Sequence, residues 1–192
     1  MNKQLKRTQR QELNEAYQKT LYWFFAFPDH EMSLSDLASE LRISKTTTNH
    51  IVKKLVDDKF LLVTVLGRTW RIVCNKFHHY HTTIKIGYNL NTIYSCGIIE
   101  EIHKKLDPPR AIILFGSYRK GDDNEKSDMD IAVEVLDGEG LRIVELGFLP
   151  TVGYRKNIRV NLHIFSRNRI DINLFSNIAN GIVLEGFLEV RP

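Results

Sequence analysis

Leu13, Tyr17, Leu21, Phe24 and Phe25 recur at spacings of three and four. That is the period of an amphipathic helix, predicted here from about Leu5 to Phe27 and ended by Pro28 and Asp29. The stretch "SLSDLASEL" offers Ser33 as an N-cap, with Asp36 three positions on. It leads a short helix whose Leu34, Leu37, Ala38 and Leu41 face inward. After a tight turn through Arg42 and Ile43, Ser44 caps a third helix, "KTTTNHIVKKLVDDKF", with Thr48, Ile51, Val52 and Leu55 on its buried side. Lys45, Thr46, Asn49, His50 and Lys53 are left outward. Two β runs follow in "LLVTVLGRTWRIVCN", around a turn at Gly67 and Arg68. From Tyr88 to Leu106, the positions Leu90, Ile93, Tyr94, Gly97, Ile98 and Ile102 predict one connecting helix, stopped by Asp107 and the double proline.

Beyond it the period changes. "RAIILF" is an apolar run of strand length, followed at once by Gly116 and Ser117, where the chain must turn. The polar excursion "KGDDNEKS" returns it to a second strand, "DMDIAVEV". Between Asp137 and Lys156 the pattern is open: "LRIVELGFL" suits helix or strand, and Gly147, Pro150 and Gly153 suggest a loop around it. "NIRVNLHIF" is a further strand. "DINLFSNIANGIVLEG" reads as a closing helix capped by Asp171, with Ile172, Phe175, Ile178, Ala179 and Ile182 inward.

The chain has 192 residues, 43% of them hydrophobic, enough for one large domain or two small ones. No apolar run approaches the ~18 to 20 residues of a membrane helix, and "MNKQLKRTQR" lacks a signal-peptide core, so a cytoplasmic protein is expected. Cys74 and Cys96 form no C-x-x-C pattern and read as reduced, buried thiols. His78, His79 and His81, with no nearby cysteine or carboxylate, read as solvated rather than as a metal site. The charge is uneven. Residues 1–80 carry 13 Lys and Arg against 8 Asp and Glu, whereas the remainder carries 14 against 15. An anionic partner is therefore expected at the N-terminal part.

Helix, two helices joined by a tight turn, then a β-hairpin: over residues 5–76 this order, carried by "LSDLASELRISKTTTNHIVKKLVDDKFL", resembles the winged helix-turn-helix family. The resemblance implies a DNA-binding domain in which Lys45, Thr46 and Asn49 meet base edges while Lys53 and Arg68 meet phosphates. Winged helices also pair proteins, so a protein-binding module is the alternative. Because such regulators read two half-sites, and because long helices offer apolar faces, a homodimer is expected.

Side chains alternate along a strand, so Asp128 and Asp130 point the same way, their alpha carbons about 7 Å apart. Two like charges at that spacing repel, and a divalent cation removes the conflict. Magnesium takes a few carboxylate oxygens together with substrate phosphates. The pair can thus hold ions bridging a triphosphate, which the Gly116–Ser117 turn grips from the other side, with Arg119, Lys120 and Lys126 around the loop. The string "LFGSYRKGDDNEKSDMDIAV" resembles the polymerase-beta-type nucleotidyltransferase superfamily, in its smaller minimal (MNT-type) branch, including Gly121 and Ser127. That resemblance spans Pro108 to Gly186. It implies that Gly116 and Ser117 bind nucleotide phosphates and that Asp128 and Asp130 coordinate Mg2+. The family's third carboxylate, which helps activate the attacking hydroxyl, falls on Asn161; Glu134, on the same face as Asp130, is a possible substitute without family warrant.

The expected architecture is α+β: a winged helix-turn-helix domain at 1–80, a connecting helix at 81–107, and a nucleotidyltransferase-like domain at 108–192 with a small mixed sheet. Two functions follow. One is magnesium-dependent transfer of a nucleoside monophosphate from a nucleoside triphosphate to a hydroxyl acceptor, which in the minimal branch can be a partner protein such as a toxin. The other is a winged-helix regulator or antitoxin-like protein whose second domain binds nucleotide or a partner without catalysis.

Overall fold

A computed structural model of the chain describes residues 15–67, 69–106 and 108–190. The first ten residues of the predicted opening helix, Leu13 among them, and the roles read for Arg68 and Asp107 lie outside the described residues. What is described is mixed α+β, with seven α-helices and two sheets.

The first three helices are α1 (Glu15–Ala26), α2 (Leu34–Leu41) and α3 (Lys45–Asp57). The starts of α2 and α3 follow from the predicted caps: Ser33 Oγ accepts from the Asp36 amide at 3.1 Å, and Ser44 Oγ accepts from the Thr47 amide at 3.0 Å. Strands β1 (Leu61–Leu66) and β2 (Thr69–Cys74) pair antiparallel behind them. Tyr17, Leu21, Phe24 and Phe25 of α1 pack on Leu37, Leu41, Ile51, Val52, Leu55, Phe60 and Ile72 in one core. Phe24 and Phe25 are fully buried, and truncating either to Ala costs about 3 to 5 kcal/mol. The same packing removes a premise of the dimer expectation, because α1 spends its apolar face internally.

The predicted connecting helix is broken in two, α4 (Ile84–Ser95) and α5 (Ile98–Lys105). Gly97 lies between them at φ +78°, a left-handed conformation that ends a helix at little cost for glycine. Nor is the histidine stretch a solvated linker. His81 is buried and its Nε2 lies 3.3 Å from Cys74 Sγ, His78 bonds the Asp58 carbonyl at 3.0 Å, and His79 alone of the three is exposed. Cys74 and Cys96 are both free; Cys74 is buried, Cys96 half-buried.

The second sheet has the order β5-β6-β4-β3-β7, built from β3 (Ala111–Leu114), β4 (Met129–Glu134), β5 (Arg142–Val152), β6 (Arg155–Phe165) and β7 (Ile182–Gly186). Only β4 and β6 run parallel. One face packs Ile112, Leu114, Met129, Ile131, Val133 and Leu162 against Ile93, Ile98 and Ile102 of α4 and α5. The other sets Ile113, Phe115, Ala132 and Phe165 against Ile178 of α7 (Ile172–Ala179). Asp171 caps α7 as predicted, accepting from the Asn173 and Leu174 amides. The helix is shorter than expected, because Ile182 already belongs to β7. The ambiguous "LRIVELGFL" is strand, the outer arm of a long β5–β6 hairpin.

Candidate active site

Strand β3 delivers the chain to Gly116, the first residue of the short helix α6 (Gly116–Lys120). Gly116 has φ +70°, a conformation glycine adopts without strain. Because β4 runs back antiparallel beside β3, Asp130 returns to this same turn. The Phe115 amide donates to the Asp130 carbonyl at 3.3 Å, and a Cβ on residue 116 would stand 2.9 Å from Asp130 Oδ2. The structure thus brings Gly116, Ser117, Asp128 and Asp130 to one end of the sheet, and Asp130 remains 29% exposed.

Strand β6 adds two residues. In its parallel pairing with β4, Asn161 lies opposite Asp130. Its Nδ2 is 3.3 Å from Asp128 Oδ2 and 3.4 Å from Asp130 Oδ1, so one amide donates to both carboxylates. Asn161 therefore stands beside the pair where the resemblance puts a third carboxylate. Two positions on, and so on the same face, His163 places Nε2 3.3 Å from Asp130 Oδ1. Its ring packs edge-on against Phe115 and is only 14% exposed, and Nδ1 is buried without a partner among the described residues. Donation to Asp130 therefore comes from Nε2–H. Sequence reasoning did not single out His163; its one signal was the two-residue alternation from Asn161.

These donors offset the repulsion between the aspartates without making a closed metal cage. Among the described residues no group of three or more His, Cys, Asp and Glu is arranged to hold an ion. Magnesium shared with substrate phosphates needs only one or two protein carboxylates, and Asp128 with Asp130 meets that smaller demand.

Other expected members flank this turn and loop. Arg119 is half-buried, and Lys120 lines a cavity of about 370 Å³ with His81, Lys85 and Asp123. Ser127 Oγ accepts from the Asn124 amide at 3.0 Å, so it shapes the loop before Asp128. Glu134 cannot replace the third carboxylate. It lies four residues, about 13 Å, along β4. There it is fully buried, with Arg167 Nε at 3.1 Å and Arg110 Nε at 3.7 Å. A cavity of about 880 Å³ also lies at that far end, lined by Arg110, Ser166, Arg167, Phe175 and Glu189 among others. Its charges are largely compensated, Arg110 and Arg167 against Glu134 and Glu189. Size alone therefore does not mark it as the reactive site.

On α3, Lys45, Thr46 and Lys53 are exposed, and Asn49 is half-buried, its Oδ1 without a partner among the described residues. No described helix is long and apolar enough to cross a membrane.

No curated protein matches the chain. Residues 98–184 match the family model described as "Polymerase beta, Nucleotidyltransferase", a stretch that begins with α5 and ends in β7. That match covers the Gly116–Ser117 turn, both aspartates, Asn161 and His163, so this part of the chain is similar to that nucleotidyltransferase family.

Proposed function

We propose that the chain is a DNA-binding protein whose second domain uses Mg2+ to transfer a nucleoside monophosphate from a nucleoside triphosphate to a hydroxyl acceptor. One observation carries the transferase half: Gly116 and Asp130 are in contact range across β3 and β4, so a phosphate grip and a carboxylate pair share one site. In that site the backbone at Gly116 and Ser117 approaches the triphosphate closely, and Asp128 and Asp130 hold the metal. A bound divalent ion supplies charge neutralisation on the phosphates. Asn161 keeps the two carboxylates converging, and His163 fixes which Asp130 oxygen is turned away from Gly116. Phosphoryl transfer asks for positioning more than covalent work, so a site of this kind can act without a third carboxylate, although more slowly.

The DNA-binding half is supported by the basic N-terminal balance and by the exposed Lys45, Thr46 and Lys53 on one helix that follows a tight turn. The winged-helix reading gives Lys45, Thr46 and Asn49 to bases and Lys53 and Arg68 to phosphates. Reading two half-sites favours a homodimer, and a cytoplasmic setting suits these partners. Asn161 favours a second reading: nucleotide bound without turnover, as in an antitoxin-like regulator facing a toxin or other protein partner. Incubation with labelled nucleoside triphosphates, magnesium and cell extract separates them. Label on a macromolecule supports transfer; tight nucleotide binding with no label supports the regulator.

A further inference from the structure

Between α6 and β4 the loop 121–128 has no regular structure, yet it carries Asp128 and must set its distance from the Gly116–Ser117 turn. Its anchors come from the opposite face of the sheet. Arg155, at the start of β6, is 95% buried. Its Nη1 donates to Asp123 Oδ2 at 3.0 Å, and its Nη2 donates to the Ser127 carbonyl at 3.2 Å and to the Tyr118 hydroxyl. The guanidinium also stacks on the Tyr118 ring, 4.8 Å from its centre. Tyr118 belongs to α6, one residue beyond Ser117, and Ser127 immediately precedes Asp128. One side chain therefore grips both halves of the candidate site.

The other oxygen of Asp123 is held from α4. Lys85 Nζ lies 3.3 Å from Asp123 Oδ1 and also donates to the Asp123 carbonyl. Asn89 Nδ2 donates at 2.9 Å to both Asp123 Oδ1 and the Tyr118 carbonyl. Gly121 packs so closely on the His81 carbonyl that a Cβ would collide with it. Lys85 and Asn89 precede the family-matched stretch 98–184, so part of the clamp is supplied from outside it. Burial alone does not account for the arrangement. A buried carboxylate between two cations is costly to assemble, whereas apolar packing would close the same space with less desolvation.

We infer that Arg155, braced by Asp123, Lys85 and Asn89, is a positioning residue that sets the spacing between the Gly116–Ser117 turn and Asp128. The inference rests on the nucleotide reading above. Arg155→Lys tests it in the full chain: the charge facing Asp123 is kept, but one ammonium cannot hold Asp123, Ser127 and Tyr118 in a fixed fork. Calorimetry with ATP, GTP, CTP and UTP, with and without magnesium, is paired with amide exchange. The expected result is a folded chain whose melting temperature falls by several degrees, because buried acceptors lose a partner, with loop amides 122–128 exchanging at least tenfold faster and the rest of the chain exchanging as before. Magnesium-dependent nucleotide affinity falls about tenfold, with metal-free affinity unchanged. Equal affinity and equal loop exchange in the two proteins overturn the positioning role. So does a general rise in exchange with both affinities reduced alike, which marks a core residue only. If the unaltered chain binds no nucleotide, the functional reading itself falls and takes this inference with it.

Discussion

Gly116→Ala places a methyl group at the point where the two halves of the site meet. The backbone there is at φ +70°, so alanine costs about 1 to 2 kcal/mol in left-handed strain. For a chain of this size that lowers the melting temperature by roughly 2 to 8 °C. The new Cβ would also lie 2.9 Å from Asp130 Oδ2, and the carboxylate must yield by a few tenths of an ångström. That movement disturbs the contacts of Asp130 with Asn161 and His163, at 3.4 and 3.3 Å. Magnesium-dependent nucleotide affinity should fall at least tenfold, about 1.4 kcal/mol. Gly67→Ala is the control: φ is +60° there, with no atom of the described residues beyond its chain neighbours within 4 Å of a Cβ, so it carries similar strain without the Asp130 clash. Thermal melts and calorimetry on both variants give the comparison. Stability loss in both, with binding lost only in Gly116→Ala, is the expected result. Undiminished binding by Gly116→Ala would refute the claim that phosphate grip and carboxylates share this turn.

Burial lowers the His81 imidazole from 6.5 to about 4, so between those values the unfolded chain binds more protons than the folded one. Stability should therefore fall as pH drops through this window, by up to about 3 kcal/mol. Denaturant melts at pH 7.5 and 4.5 check this, and His81→Gln should flatten the difference. Asn161→Asp adds a third carboxylate beside the pair: it should destabilise the metal-free chain by about 1 kcal/mol and raise magnesium affinity and any transferase rate. Melting and calorimetry with and without metal read the two opposite signs. Lys53→Ala should weaken duplex DNA binding for all sequences alike and reduce the slope of log affinity against log salt by about 1, measured by fluorescence anisotropy.

The core of the candidate site was legible because it is local. Gly116, Ser117, Asp128 and Asp130 fall within fifteen residues, between two apolar runs whose strand period is plain. Both early helix caps were legible for the same reason, each being an interaction over three residues. Arg155 and His163 were not. Their partners lie about thirty residues away, and only the β4–β6 pairing and the β5–β6 turn bring them together. The connecting helix was misread because Gly97 fits an inward helical position as well as a left-handed break. The alternation of β5 is obscured by its irregularity between Glu145 and Gly147 and by its place at the sheet edge, where one side of the strand has no partner. Burial of His81 ran against composition, because the polar run "KFHHYH" folds back on Phe25 and Phe60.

The most direct test of the account is calorimetric titration of the full chain with nucleoside triphosphates, with magnesium and with chelator, beside the Asp128→Asn, Asp130→Asn double variant. The account predicts binding that requires the divalent ion in the natural chain and loses that requirement in the variant. Melting temperatures without metal should lie within about 3 °C, because Asn161 and His163 already offset the repulsion that the substitution removes. A variant that is strongly destabilised with or without metal, from a natural chain that binds no nucleotide, would contradict it and leave Asp128 and Asp130 as structural residues at a strand end.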